Sequence, residues 1–160
     1  MGEHSLTRAL RELLLARRTA ALGTLDEQGG VFVSMVPFAI DGPSGELVLH
    51  VSGLAAHSGN MQRSPRVSLL VCAAEPEGEP VHALPRVTLD AQACFVEPGG
   101  AGSLQARAVY LKRFPEAEMM TTLGDFRFVR LQVLGARQVA GFGAARSLPA
   151  EEVRRALTAA

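Results

Sequence analysis

Apolar residues recur along the chain with two periods, and the change from one to the other marks out its elements. Over residues 5–18, Leu6, Leu10, Leu13 and Leu14 share one face of a helical repeat while Arg8, Arg11 and Glu12 point elsewhere. That pattern predicts an amphipathic helix, capped by Ser5 or Thr7. The period then falls to two. Residues 19–26, 31–41, 46–52, 66–75, 86–97 and 126–140 are rich in β-forming residues and largely alternate, so they read as strands. Residues 27–30 and 42–45 carry turn glycines and join the first three as hairpins. Pro37 excludes a fully paired central position for its strand, and Gly135 suggests a bulge in the last one. Helical spacing returns over 54–64, which Pro65 ends, over 103–114, and over 149–157, which Pro149 opens. The buried stripe of the 103–114 helix is read as Leu104, Ala108, Tyr110 and Leu111. Residues 76–84 read as a loop.

Six or seven strands in hairpin order, with short helices before, between and after them, do not form the strand–helix alternation of a parallel sheet. They predict a mainly β fold, an antiparallel barrel or sandwich with helical excursions. The length of 160 residues predicts one domain over 1–160, with an N-terminal helix within 1–18 and a C-terminal helix within 149–160.

Charge and composition narrow the function classes. Lys plus Arg and Asp plus Glu both total 16, so the net charge is zero and the basic footprint of a nucleic-acid binder is missing. There is no Trp, one Tyr and seven Phe, too few aromatics for a base-stacking platform. No apolar run reaches the roughly 18 residues of a membrane span, and no secretory segment is visible, so a cytoplasmic protein without a membrane partner is expected. Cys72 and Cys94 lie in apolar runs, match no metal or redox spacing, and are expected as buried thiols.

The four histidines, His4, His50, His57 and His82, stand apart from one another and from carboxylates at ligand spacing, so no metal site is expected. Hydrolase, metalloprotease and nucleotide-loop motifs are missing. Gly141, Phe142 and Gly143 form only a GxG, without the third glycine of a dinucleotide site. What stands out is the strand-to-helix junction from Ser52 to Arg66. Free amides and a favourable dipole there suit an anion, with Ser52, His57, Ser58, Asn60 and Arg63 as donors. Those residues equally fit a helix cap and a solvated arginine.

The order of elements, together with VSMVPFAID at 33–41, LAAHSGNMQRSPRVSLLV at 54–71, PRVTLDAQA at 85–93, YLKRFPEAE at 110–118, GDFRFVRLQV at 124–133 and VAGFGAARSL at 139–148, resembles the pyridoxamine 5′-phosphate oxidase-related FMN-binding split barrels. Within them the sequence looks closest to the HugZ-type haem-utilisation branch. The resemblance implies a six-stranded antiparallel split β-barrel that forms a homodimer, with the cofactor in a groove at the dimer interface. It implies a flavin site in which Ser34, Met35 and Val36 underlie the ring, Ser52, His57, Ser58 and Asn60 hold the phosphate side, and Arg86 reaches in from the partner chain. Ser34 stands where the oxidases carry an arginine, and Gly59 where the HugZ-like branch carries one. The HugZ-like branch supplies its haem ligand from a histidine in a C-terminal extension, and no histidine follows His82 here. Asp125 matches an aspartate beside the haem pocket of that branch. The expected function is thus an FMN-binding oxidoreductase acting on an unidentified small molecule. The alternatives are a haem-binding or haem-degrading protein, in which His57 or His50 supplies the ligand, and a cofactor-less dimeric binding module.

Overall fold

His4 opens helix α1 (Ser5–Ala16), its imidazole Nδ1 accepting the Leu6 amide at 3.3 Å; the structure, a computed structural model, describes residues 4–159. The cap therefore falls ahead of both expected residues, Ser5 and Thr7. Of the expected domain limits, residues 1–3 and 160 lie outside the described range. Leu10 and Leu14 of α1 are fully buried, as the helical spacing predicts.

The strands are β1 (Thr19–Leu25), β2 (Val31–Pro37), β3 (Ala39–Asp41), β4 (Glu46–Ser52), β5 (Arg66–Cys72), β6 (Arg86–Phe95), β7 (Phe126–Val139) and β8 (Ala145–Pro149). All pair antiparallel, in the order β2-β1-β5-β6-β7-β4-β3, with β8 also on β7. The expected six strands thus become eight, for two physical reasons. Phe38 is fully buried and sends its amide to the Arg18 carbonyl at 3.1 Å, which breaks 31–41 into β2 and β3. Strand β8 spans five residues between a glycine turn and a helix, too few for alternation to show. Because β2 pairs with β1 at one end of the path and β3 with β4 at the other, the bent segment 31–41 draws the two ends together and curls the sheet. This is the split half-barrel that the pattern and the resemblance implied. Pro37 closes an edge strand, where its missing donor costs no ladder bond.

One edge of β7 carries β4 along its first half and β8 along its second. Between those halves Asp90 faces Gly135 and Ala91 faces Val133, leaving Leu134 as the extra residue of a bulge beside the glycine that signalled it. The barrel interior is filled by alternate residues, among them Leu22, Leu47, Leu49, Leu69, Leu89 and Leu131, and closed by Leu10 and Leu14 of α1 and by Val153 and Leu157 of α4 (Ala150–Thr158). Such fully buried side chains contribute about 1.5–3 kcal/mol each relative to exposure.

Helix α3 (Ala101–Arg113) packs on the outside of β3, β4 and β7, which buries β4 on both faces. Its buried residues are Ala106 and Tyr110, followed by Phe114, whereas Leu104 is 70% exposed. The expected stripe through Leu104 and Ala108 is therefore corrected. Both stripes fit a helical period, but the aromatic one buries more surface and the small Ala106 lets the helix approach the sheet. The cysteines are also corrected: Cys72 is half-buried and Cys94 exposed. Each takes the outward position beside an inward residue, Val71 or Ala93, because side chains alternate along a strand.

His50 lies in this outer layer, 8% exposed. Its ring centroid is 4.5 Å from that of Phe128, 5.0 Å from Phe126 and 5.6 Å from Tyr110, and among the described residues its Nδ1 has no hydrogen-bond partner. Burial holds its pKa below the ordinary 6.5. The unfolded chain therefore takes up the proton first as pH falls. Stability is at its full value above about pH 6.5 and declines below it until the folded ring also protonates. Urea midpoints measured between pH 7.5 and 5 will fall, and His50→Phe will flatten the decline, leaving the contribution of His57. An equally steep decline in His50→Phe would assign the effect to other groups.

Candidate functional site

Strand β4 ends at Ser52, and the chain turns at Gly53 into helix α2 (Ala56–Arg63). The Gly53 amide donates to the Asp125 carbonyl at 2.6 Å, and a Cβ on Gly53 would stand 3.0 Å from that oxygen, so the approach suits glycine. Ser52 Oγ accepts the Leu54 amide at 3.2 Å and donates to Asp125 Oδ2 at 3.4 Å. Asp125, just ahead of β7, thereby holds the junction at the end of β4.

The polar residues of α2 are largely committed to the fold. Ser58 is buried, and its hydroxyl donates to the Ser52 carbonyl at 2.5 Å. Asn60 is buried; its Nδ2 donates to Thr24 Oγ1 at 3.0 Å and its Oδ1 accepts from Arg63 at 2.8 Å. Arg63 Nη1 in turn lies 3.5 Å from Glu27 Oε1. These bonds fasten α2 across the β1–β2 hairpin, spending the one donor of the Ser58 hydroxyl and one of the two N–H donors of the Asn60 amide. Thr24 and Glu27, which complete this network, carry no signal in the sequence.

Ser34 and His57 meet. Ser34 Oγ lies 2.9 Å from His57 Nδ1, joining β2 to the first turn of α2. The His57 ring is half-buried, and burial lowers its pKa from 6.5, which favours the neutral imidazole near neutral pH. Among the described residues its Nε2 has no hydrogen-bond partner. Phe32, two residues before Ser34 on the same face of β2, is partly exposed, and Leu54, just before α2, is 89% exposed. Among the described residues strand β2 pairs with β1 alone, so its other edge, beside this histidine, carries no strand.

The remaining candidates lie elsewhere. Val36 is buried in the core. Met35 points to the outer face of the sheet, 65% exposed, in line with Val33 at 62% and with Val31. On that face Met35, Val33 and Val31 pair with Ala21, Gly23 and Leu25 of β1, and Ala21 pairs with Leu70 of β5. Small residues in β1 leave a shallow apolar cleft there, a feature the sequence reading missed although the alternation of β1 contains it. Arg86 opens β6 opposite Val139, the last residue of β7, whereas Ser52 lies opposite Phe126, the first. Within one chain Arg86 and Ser52 are therefore at opposite ends of that strand. Arg86 Nη1 donates to the carbonyls of Leu84 at 2.9 Å and His82 at 3.3 Å.

The donor set discriminates between cofactors. A flavin phosphate needs cations or free donors at the start of α2, but Gly59 offers no side chain and the Arg63 guanidinium already faces Asn60 and Glu27. Among the described residues the side chains of α2 therefore add no uncommitted cation for that phosphate, which only the backbone amides of the first turn would meet. A haem needs apolar surface and a ligand for iron; His57 offers a neutral imidazole with one free nitrogen, and Leu54 and Phe32 are exposed apolar residues beside it.

Comparison with known proteins bears on the same choice. A family model described as pyridoxamine 5′-phosphate oxidase matches residues 6–140. Haem oxygenase HutZ of Vibrio cholerae is 33% identical over 145 residues, which cover 90% of this chain and 81% of that protein. A structure described as a haem binding protein from Mycobacterium smegmatis matches with a TM-score of 0.84 at 30% identity, over 97% of this chain but only 62% of that one. The crystal structure of HutZ, described there as the haem storage protein, matches with a TM-score of 0.73 at 31% identity, covering 81% of this chain and 91% of that one. These relatives favour the haem alternative over the flavin reading.

Proposed function

We propose that this chain, which belongs to the pyridoxamine 5′-phosphate oxidase family, binds haem rather than FMN, at the open edge of β2 beside His57. The observation that carries the reading is the pairing of Ser34 with His57, which leaves one imidazole nitrogen free where the phosphate-binding cations of a flavin site are missing. The printed functions of HutZ and of the mycobacterial protein support it. Bound haem supplies iron that can activate dioxygen. The chain supplies an apolar bed, a neutral imidazole and a hydroxyl that fixes the orientation of that imidazole.

Two copies associate through the outer face of β2, β1 and β5, where Val31, Val33, Met35 and Leu70 are exposed together. Scattered single exposed apolar residues need no explanation, but a contiguous face of this kind marks an interaction site.

Titration with haemin tests the reading. It is expected to give a sharp Soret band that saturates at one haem per chain, with affinity in the micromolar range or tighter. A difference spectrum no sharper than that of haemin with serum albumin would overturn it. Adding ascorbate in air to the loaded protein then separates turnover from storage. A decaying Soret band with a product absorbing at longer wavelength indicates ring opening, and a stable band indicates a haem carrier.

A further inference from the structure

Helix α1 closes the barrel with part of its apolar face and leaves the adjoining flank unfilled. Leu10 and Leu14 are fully buried in the core. Beside them a cavity of about 500 Å³ separates α1 from the ends of β5, β6 and β7. Ala9, Leu13 and Ala16 of α1 form one wall, Ala73 and Pro85 a second, and Val139 a third. That volume lies within the roughly 300–1,000 Å³ of small-molecule sites. Hydrogen bonds across the walls hold the space open. Gln138, 2% exposed, donates through Nε2 to the Leu6 carbonyl at 2.8 Å and accepts from Arg146 Nε through Oε1 at 2.9 Å. The Ala73 amide donates to the Pro85 carbonyl at 2.8 Å. A ligand therefore meets a preformed site and need not order one.

Two charged side chains, Arg17 and Glu12, line this space. Arg17 caps the C-terminal end of α1, and its Nε is buried. Among the described residues that guanidinium has no hydrogen-bond acceptor and no carboxylate partner. A buried donor left unmade is costly, and an anion supplies what this one lacks. We propose that the cavity binds a straight-chain aliphatic monocarboxylate, its carboxylate on Arg17 and its alkyl chain running along α1 past Leu13 toward Ala9. The proposal stands apart from the haem reading, which invokes neither α1 nor Arg17. Among the described residues no aromatic side chain lines the cavity, so a planar ring has no stacking platform there, whereas an alkyl chain needs none. Ala9 and Ala16 are about 10 Å apart along the helix, which an extended chain of about eight carbon–carbon bonds spans. Glu12 shares the helix face of Ala9 and Ala16 and is exposed. It repels a carboxylate, which leaves the acid at the Arg17 end and disfavours a second acidic group. Arg17 also borders the cleft on the outer face of β1 and β2, so its guanidinium lies where the two spaces meet.

Calorimetric titration of the full chain, free of haemin, with decanoate below its micelle concentration tests the proposal. One decanoate per chain is expected to bind saturably, with affinity rising by up to about fourfold per methylene from hexanoate to decanoate. Arg17→Gln should weaken decanoate by about tenfold or more and leave decanol unaffected. Glu12→Gln should tighten decanoate about twofold, because the repulsion is gone. Ala16→Leu adds bulk at an exposed position of the cavity wall and should abolish binding with an unchanged circular dichroism spectrum. If that variant fails to fold, the opposite signs of Arg17→Gln and Glu12→Gln carry the test. Lys112→Ala alters the separate cavity beside Arg113 and should bind as the parent does. No saturable heat with decanoate would overturn the proposal. So would parent-like affinity in Arg17→Gln, an equal loss of decanol binding in that variant, or a loss in Lys112→Ala.

Discussion

Replacing Asp41 by alanine is expected to lower the stability of the protein by about 3 kcal/mol. Asp41 ends β3 and is 2% exposed. Its Oδ2 lies 2.9 Å from Arg130 Nη1, which also lies 3.3 Å from Oε1 of Glu46, the first residue of β4. Arg130 comes from β7 and pairs there with Val48. One cation therefore ties the β3–β4 hairpin to the longest strand of the sheet. Removing Asp41 leaves Arg130 largely buried with Glu46 as its one remaining partner. That remaining partner is why the expected loss sits at the low end of the roughly 3–5 kcal/mol typical of broken buried pairs. Replacing both charges, with Asp41→Leu and Arg130→Met, should be nearly neutral, because the desolvation of both ions disappears along with their attraction. Urea unfolding of the two singles and the double measures this. A loss below about 1 kcal/mol in Asp41→Ala would show a pair as weak as those on open surfaces.

Val33→Asp is expected to separate the proposed dimer while leaving the fold intact. Val33 is 62% exposed in a single chain, so the substitution meets solvent there. In the dimer each copy would bury an unpaired carboxylate against Val31, Met35 and Leu70. Such burial costs several kcal/mol per group, or a weakening of association of about a thousandfold or more. Sedimentation velocity reads the change from dimer to monomer, and unchanged circular dichroism shows that the barrel survives. A Val33→Asp variant that remains dimeric would place the contact on another face.

How much of this could be read from the chain depends on the element. The amphipathic α1 and the alternating β4 and β6 were readable because one period persists over seven or more residues. The break at Phe38 was not, since a buried phenylalanine inside an apolar run looks like strand on either side. The face of α3 was not, since two stripes fit the same spacing and the packing of Tyr110 and Phe114 decided between them. The site divides in the same way. The Ser52–Arg66 junction was visible as a change of period after a strand. Proximity of Ser34 to His57 joins positions 23 residues apart, and no local pattern reports it. The commitment of Ser58 and Asn60 to Ser52 and Thr24 was hidden for the same reason. Residue types suggested ligand donors, and only three-dimensional contacts show that these donors hold the helix in place.

The choice between haem and flavin is decided most directly by competition. The purified chain is mixed with equimolar haemin and FMN and passed through a desalting column. Haem is expected to elute with the protein, identified by its Soret band, while FMN fluorescence remains entirely in the small-molecule fraction. Flavin eluting with the protein and its fluorescence quenched, with haem left behind, would contradict the assignment of this site to haem.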